Sequence, residues 1–224
     1  MLLDIMNSLG NTQAIISIVF AYAVILLVAL PIHECSHAFM ARLLGDDTAF
    51  RQGRVTLNPI SHLDPMGAIG IIIVGIGWAK PVPVNPTRAR KVSARAAMAI
   101  TAAAGPISNV LVSLVFVIIA KLILLLGGSA DSTVIFYVWY ALMTVAEINV
   151  GLAVFNLLPI PPFDGSRIFL IFLKEKWYFK IMQYEQYIMF AILLLCFTGI
   201  LNIPLAFLKN CVMQFLDVIT GFIG

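Results

Sequence analysis

The feature that most limits what this chain can fold into is a succession of long apolar runs, four or five of them long enough to cross a bilayer. A helix needs about 20 apolar residues to span the hydrocarbon. The first run extends from about Ala14 to Leu44. The second covers about Ala97 to Leu126, with Gly105-Pro106 expected to mark a kink or a helix start. The third runs from Thr133 to Leu158 and ends in a proline cluster, and Tyr187 to Ile203 makes a fourth. Leu205 to Ile223 is a candidate fifth, weakened by Lys209 and Asp217. Composition agrees: of 224 residues, 61% are hydrophobic and 11% charged, whereas a soluble domain carries about 25% charged residues. Such a chain cannot cover a water-facing surface, so lipid is its expected solvent. Met1 to Gln13 lacks the basic stretch of a signal peptide and carries Asp4, so no cleaved leader is expected. The three cysteines, Cys35, Cys196 and Cys211, sit apart in apolar surroundings and suggest packing rather than a disulfide framework.

Charge placement orients the spans. Twelve of the 14 Lys and Arg residues fall in three clusters. Arg42, Arg51 and Arg54 follow the first span, Lys80, Arg88, Arg90, Lys91 and Arg95 precede the second, and Arg167, Lys174, Lys176 and Lys180 follow the third. The connection Gly127 to Ser132 carries no positive charge. The positive-inside rule then puts all three clusters in the cytoplasm and the N-terminus outside a multi-pass cell-membrane protein. Lys121 is the exception. Net charge is only +3, and because the basic residues follow topology, nucleic acid is excluded as a partner.

The stretch Ala68 to Gly77 lies between basic loops on one side and has about half the residues needed to cross. It reads as a re-entrant or interfacial segment, with a short strand or buried helix as the alternative. Around it, Arg51 to Asn58 and Trp78 to Asn85 read as extended, because Pro81, Pro83 and Pro86 forbid a regular helix. The expected fold class is therefore an all-α polytopic membrane protein in a single domain, 1–224. It has about five to six transmembrane helices and a small membrane-associated β element between the first two core helices.

The first span contains His33-Glu34-Cys35-Ser36-His37. Helix positions four apart share a face, so His33 and His37 can present two imidazoles to one metal. Glu34 sits about 100° around the helix, which lets it reach water at the metal without ligating. This is the logic of H-E-x-x-H, in which the metal acidifies water and the glutamate takes its proton. Cys35 points off that face. Ionisable side chains in an apolar helix are costly unless used, although two packing histidines and a capped glutamate would also satisfy the pattern. If Arg42 marks the interface, His37 and His33 lie roughly 7 to 14 Å below it, on the cytoplasmic side of the hydrocarbon.

A catalytic zinc wants a third protein ligand and an open position. The candidates are His62, Glu147 and Asp164. Asp164 follows the proline cluster after the third span, where the chain is free to turn back into the bundle; it is also placed to cap a helix beginning at Gly165. Glu147 falls near the bilayer centre, too deep to join the histidines, and its carboxyl there must be neutral, paired or on a water path. His62 falls in an exposed-looking loop.

HECSH in an apolar helix, with GRVTLNP, GWAKPVPVNP, AGPISN and NLLPIPPFDGSR in that order, resembles the site-2 protease family of intramembrane zinc metalloproteases, closest to its compact prokaryotic members. The resemblance covers roughly Ala29 to Arg167. It implies one Zn2+ per chain held by His33, His37 and Asp164, Glu34 as general base, and Asn156 as a contact to substrate or transition state. A helix-interface hydrogen bond is the other role open to Asn156. No inserted PDZ-like domain and no CBS module is seen, so regulation by a built-in domain is not expected. The implied partners are transmembrane segments of membrane-protein substrates, presented as extended strands, with Trp78 to Asn85 the candidate edge. Two alternatives from other classes are a membrane zinc transporter and a catalytically inactive scaffold that binds membrane proteins. A transporter needs polar ligands at successive depths, and a dead scaffold normally lacks Glu34 or a ligand.

Overall fold

The computed structural model describes residues 5–223 apart from 7, 9, 74–76, 128–132 and 174, and gives backbone alone for 170, 175, 178, 179, 182, 193 and 197. Most of the expected re-entrant stretch is thus described, but its residues 74–76, most of the connection Gly127 to Ser132, and Lys174 lie outside.

Among the described residues, three helices are long and apolar enough to cross a membrane. Helix α1, Thr12–Leu44, opens at Asn11, whose side chain accepts from the Ala14 amide, and it closes at Gly45. It is continuous but not uniform. Ile25–Ala29 forms a π turn, in which the Leu30 amide bonds to the Ile25 carbonyl five residues back. The short helix α2, Pro65–Ile73, follows after a loop. Helix α3, Ala94–Leu126, starts where the Ser93 hydroxyl accepts from the Ala96 amide and runs unbroken past Pro106. Its start is therefore well before the expected Gly105-Pro106. At 33 residues and a rise of about 1.5 Å each it is about 50 Å long, more than the ~30 Å hydrocarbon requires. Helix α4, Thr133–Asn156, completes the three. Helices α5 (Asp164–Phe169), α6 (Glu175–Met182), α7 (Glu185–Thr198) and α8 (Asn202–Ile219) follow.

Small residues allow α3 to pack closely. Its buried face carries Ala97, Ala102, Gly105, Ser108, Ser113 and Ala120, and it lies against α1 on one side and α4 on the other. Where helices share an apolar solvent, such small side chains let backbones approach and polar ones tie them. The Ser113 hydroxyl does so across the α3–α4 seam, donating to the Ala146 carbonyl at 2.9 Å. Val117, Ala146, Val150, Val154 and Leu216 form one apolar core among α3, α4 and α8. Ile25, Ala29, Leu30 and Ile71 form a second, between α1 and α2.

Polarity is inverted relative to a water-soluble fold. His33, Glu34, His37, Asn109 and Asn149 are buried, while Phe20, Leu111, Val115, Phe207 and Phe215 are exposed. Contiguous apolar surface of this kind suits lipid. The charges that weakened the fifth apolar run are paired. Lys209 on α8 lies 3.1 Å from Glu147 on α4, and Lys121 on α3 lies 2.8 Å from Asp217 on α8. These contacts also account for Lys121 as the exception to the charge pattern.

The β element differs from its expectation. Among the described residues there is no strand, only an antiparallel bridge between Leu63 and Ala79. Arg51 belongs to the helical turn Thr48–Arg51, and Asn58 caps a 3-10 turn, Pro59–Ser61, so Arg51 to Asn58 does not pair as a strand. The amides of Arg51 to Arg54 are spent on local turns, and prolines at 81, 83 and 86 remove donors that a longer ladder needs. Side chains hold the loop instead. Arg54 donates to the Lys80 carbonyl, and the buried Asp46 accepts from the Asn85 amide at 2.6 Å. His62 is fully buried rather than exposed, its Nε2 2.8 Å from the Thr56 carbonyl.

Candidate metal centre

The four-residue spacing of His33 and His37 brings their rings edge to face on the buried side of α1, with Nε2 atoms 3.1 Å apart. The π turn Ile25–Ala29 ends immediately before Leu30-Pro31, about one turn ahead of His33. Such turns occur often at functional sites.

Asp164 comes from a segment more than 120 residues further along the chain. After α4 the proline-rich segment 157–163 reverses the chain, with the Phe163 ring packed against Phe155 at 4.4 Å between centroids. The reversal is tight enough that a Cβ on Gly165 would lie 2.1 Å from the Leu157 carbonyl oxygen. Only glycine fits, and Asp164 beside it is thereby aimed into the bundle as the first residue of α5. Its Oδ2 lies 3.3 Å from His33 Nε2 and 3.2 Å from His37 Nε2.

Three donor atoms thus form a nearly equilateral triangle, and together they make a group able to hold a metal ion. Donors each about 2.0–2.1 Å from a tetrahedral zinc stand about 3.3–3.4 Å apart, so the triangle has the size that zinc requires. Asp164 Oδ2 is buried and carries no hydrogen bond despite two imidazole nitrogens at close range.

The tautomer of His37 follows from its neighbour. Nδ1 is 2.7 Å from the Thr101 carbonyl oxygen, which can only accept, so Nδ1 carries the proton and Nε2 keeps its lone pair for the metal. Glu34 is buried and lines the same cavity, a space of about 880 Å³ that also reaches Asn156, Glu147 and Lys209. Asn156 donates its side-chain amide to the Leu152 carbonyl one turn back, at 3.0 Å, a bond within its own helix. His62 and Glu147 lie outside the donor group. Three contributors were not singled out from sequence: Thr101, Gly165 and, as a neighbour of the imidazoles, Gly105. The signal for Gly105 was present, a glycine inside a long helix beside a proline.

Comparison with known proteins adds independent information. The sequence model of peptidase family M50 matches residues 123–196, a stretch that contains Asn156 and Asp164. YwhC of Bacillus subtilis, a candidate zinc metalloprotease by name, is 41% identical over 149 residues, covering 64% of this chain and 64% of that protein. Rip2 of Mycolicibacterium smegmatis, named in the same way, is 31% identical over 147 residues, 62% of this chain and 52% of that protein. Rip2 of Mycobacterium tuberculosis is 28% identical over 144 residues, again 62% and 52%. The chain therefore matches between about half and two thirds of the length of these relatives. No solved structure matches it.

Proposed function

We propose that this chain, which matches the model of peptidase family M50 over residues 123–196 and YwhC at 41% identity, is an intramembrane zinc endopeptidase of the site-2 protease type that hydrolyses peptide bonds within or near transmembrane segments of membrane-protein substrates. The observation that carries this reading is the convergence of His33, His37 and Asp164 beside buried Glu34 in one cavity.

His33 and His37 from α1 and Asp164 from α5 are the residues that would hold one zinc ion per chain. When bound, zinc supplies Lewis-acid polarisation of the scissile carbonyl and acidifies water. Glu34 accepts the proton of the attacking water on its carboxylate and hands it to the amide nitrogen as the C–N bond breaks. The products are one carboxylate and one amine. The second N–H of Asn156 is available to donate to the developing oxyanion, since its amide group has two and the Leu152 carbonyl takes one.

The remaining parts of the reading follow the charge pattern. The N-terminus lies outside, and the metal centre opens toward the cytoplasm. Helices α7 and α8 complete a bundle of about five to six membrane helices, with the α8 charges neutralised by Lys121 and Glu147. The Leu63–Ala79 bridge supports an extended edge at Trp78 to Asn85 on which an unwound substrate pairs. A zinc transporter is less well supported, because the three ligand groups meet at one point rather than at successive depths.

The test is reconstitution of the purified chain in liposomes with a panel of membrane-spanning peptides. Chelator-sensitive cleavage is expected, with no zinc flux. Zinc flux without cleavage would make the chain a transporter, and a zinc-loaded chain that only retains the peptides would make it a scaffold.

A further inference from the structure

Helix α3 offers no ligand to the metal centre, yet two of its backbone positions touch the imidazoles. The Thr101 carbonyl holds His37 Nδ1 at 2.7 Å. One turn later, Gly105 lies directly against the ring edges. A Cβ at position 105 would stand 2.3 Å from His37 Nε2, 2.5 Å from His37 Cε1 and 2.6 Å from His33 Cε1. These are not loose ends that can swing aside. His37 is fixed at one nitrogen by Thr101 and at the other by the donor triangle.

Pro106 gives one local reason for glycine, since a Cβ just before a proline is crowded within a helix, but helix propensity alone argues against it. Ala102, Ala103 and Ala104 precede it, and alanine is the best helix former where glycine is among the worst. Three alanines lead up to the position where a methyl group would enter the centre.

We propose that α3 positions the zinc ligands, with Gly105 as a positioning residue whose missing side chain leaves the space in which His33 and His37 stand. This rests on the reading of His33, His37 and Asp164 as zinc ligands. The Thr101 carbonyl selects the ring proton, and Gly105 sets how closely α3 approaches the rings. Partners that orient ligands in this way commonly change metal affinity 10- to 100-fold when altered.

The experiment compares the full chain, purified in detergent, with G105A and with G151A. At Gly151, in the interior of α4, an added Cβ meets nothing within 4 Å, so G151A makes the same chemical change without the collision. Zinc retention is read against a chelator series, and the visible absorption of the cobalt-substituted protein reports ligand geometry. G105A is expected to hold zinc at least about tenfold more weakly, with shifted cobalt bands, and G151A to match the wild type. A G105A protein that matches the wild type in both readouts overturns the proposal, and so does an equal loss in G151A. If G105A does not fold, as judged by helix content and thermal transition, G105A/H33A/H37A is compared with H33A/H37A. Recovery of the fold once the rings are gone supports the collision, and a triple variant that stays unfolded overturns it. A wild-type chain that holds no zinc overturns the ligand reading itself, whereas equal zinc binding by wild type and G105A overturns only the role of α3.

Discussion

The Asp164 carboxylate oxygen lies 3.2 Å from His37 Nε2, which joins the start of α5 to the C-terminal part of α1 and closes a three-donor group. The contact depends on the chain reversal after α4 as much as on Asp164 itself.

Asp164→Ala should leave two imidazoles that form an incomplete site. Zinc per chain, measured by mass spectrometry after dialysis, is expected to fall from about one to a small fraction. Stoichiometric zinc at unchanged affinity in that variant would remove Asp164 from the ligand set.

Glu34→Gln should keep both zinc and fold and lose turnover, because an amide cannot accept the proton of water. A metal-loaded variant that still cleaves a membrane-spanning peptide at an appreciable rate would end the general-base assignment.

Gly165→Ala drives a methyl into the Leu157 carbonyl, with Cβ–O at 2.1 Å and the Leu158 carbonyl oxygen at 2.5 Å. The turn must open and Asp164 must swing. Zinc affinity is expected to drop at least about tenfold while helix content is kept, by the same logic as a lost orienting contact. Unchanged chelator titration would show that the turn tolerates a side chain and does not aim Asp164.

Lys209→Met leaves the Glu147 carboxylate without its partner. Because an unpaired charge beside lipid is worse than none, the single variant should lower thermal stability, by about 1 kcal/mol, and Glu147→Gln/Lys209→Met should recover most of it. Additive losses in the double variant would mean that the two residues do not act as a pair.

Single-cysteine labelling at positions 51 and 90, in a background lacking Cys35, Cys196 and Cys211, tests the orientation. Both sites should react with a membrane-impermeant probe from the same, cytoplasmic face, because the loop between α1 and α3 is expected not to cross. Labelling from opposite faces would show that the segment around Ala68 to Gly77 spans the bilayer.

Much of this protein was legible before any coordinates. Runs of apolar residues mark α1, α3 and α4 to within a few positions, because the need to satisfy every backbone group in lipid leaves helix as the available local structure. The pair His33 and His37 was equally legible, since a spacing of four fixes a shared face whatever surrounds the helix. Relations between distant segments were not legible. The extended reading of Arg51 to Asn58 failed because its turns and the neighbouring prolines consumed or removed the donors that a strand would use. Loop composition made His62 look exposed, but burial is set by what folds over a residue, and here the loop folds over it. Lys209 and Asp217 counted against α8 until their partners on α4 and α3 were known. The need for glycine at 105 is of the same kind. Pro106 hints at a local reason along α3, but the two imidazoles on another helix within 2.6 Å of where a Cβ would be are invisible to any local pattern. Sequence alone determined the lipid-facing helices and the face that carries the histidines, because both follow from short-range periodicity and the chemistry of the solvent. Tertiary structure alone decided how closely α3 and the turn before α5 approach that face, because such distances are the joint result of packing among segments that the sequence keeps far apart.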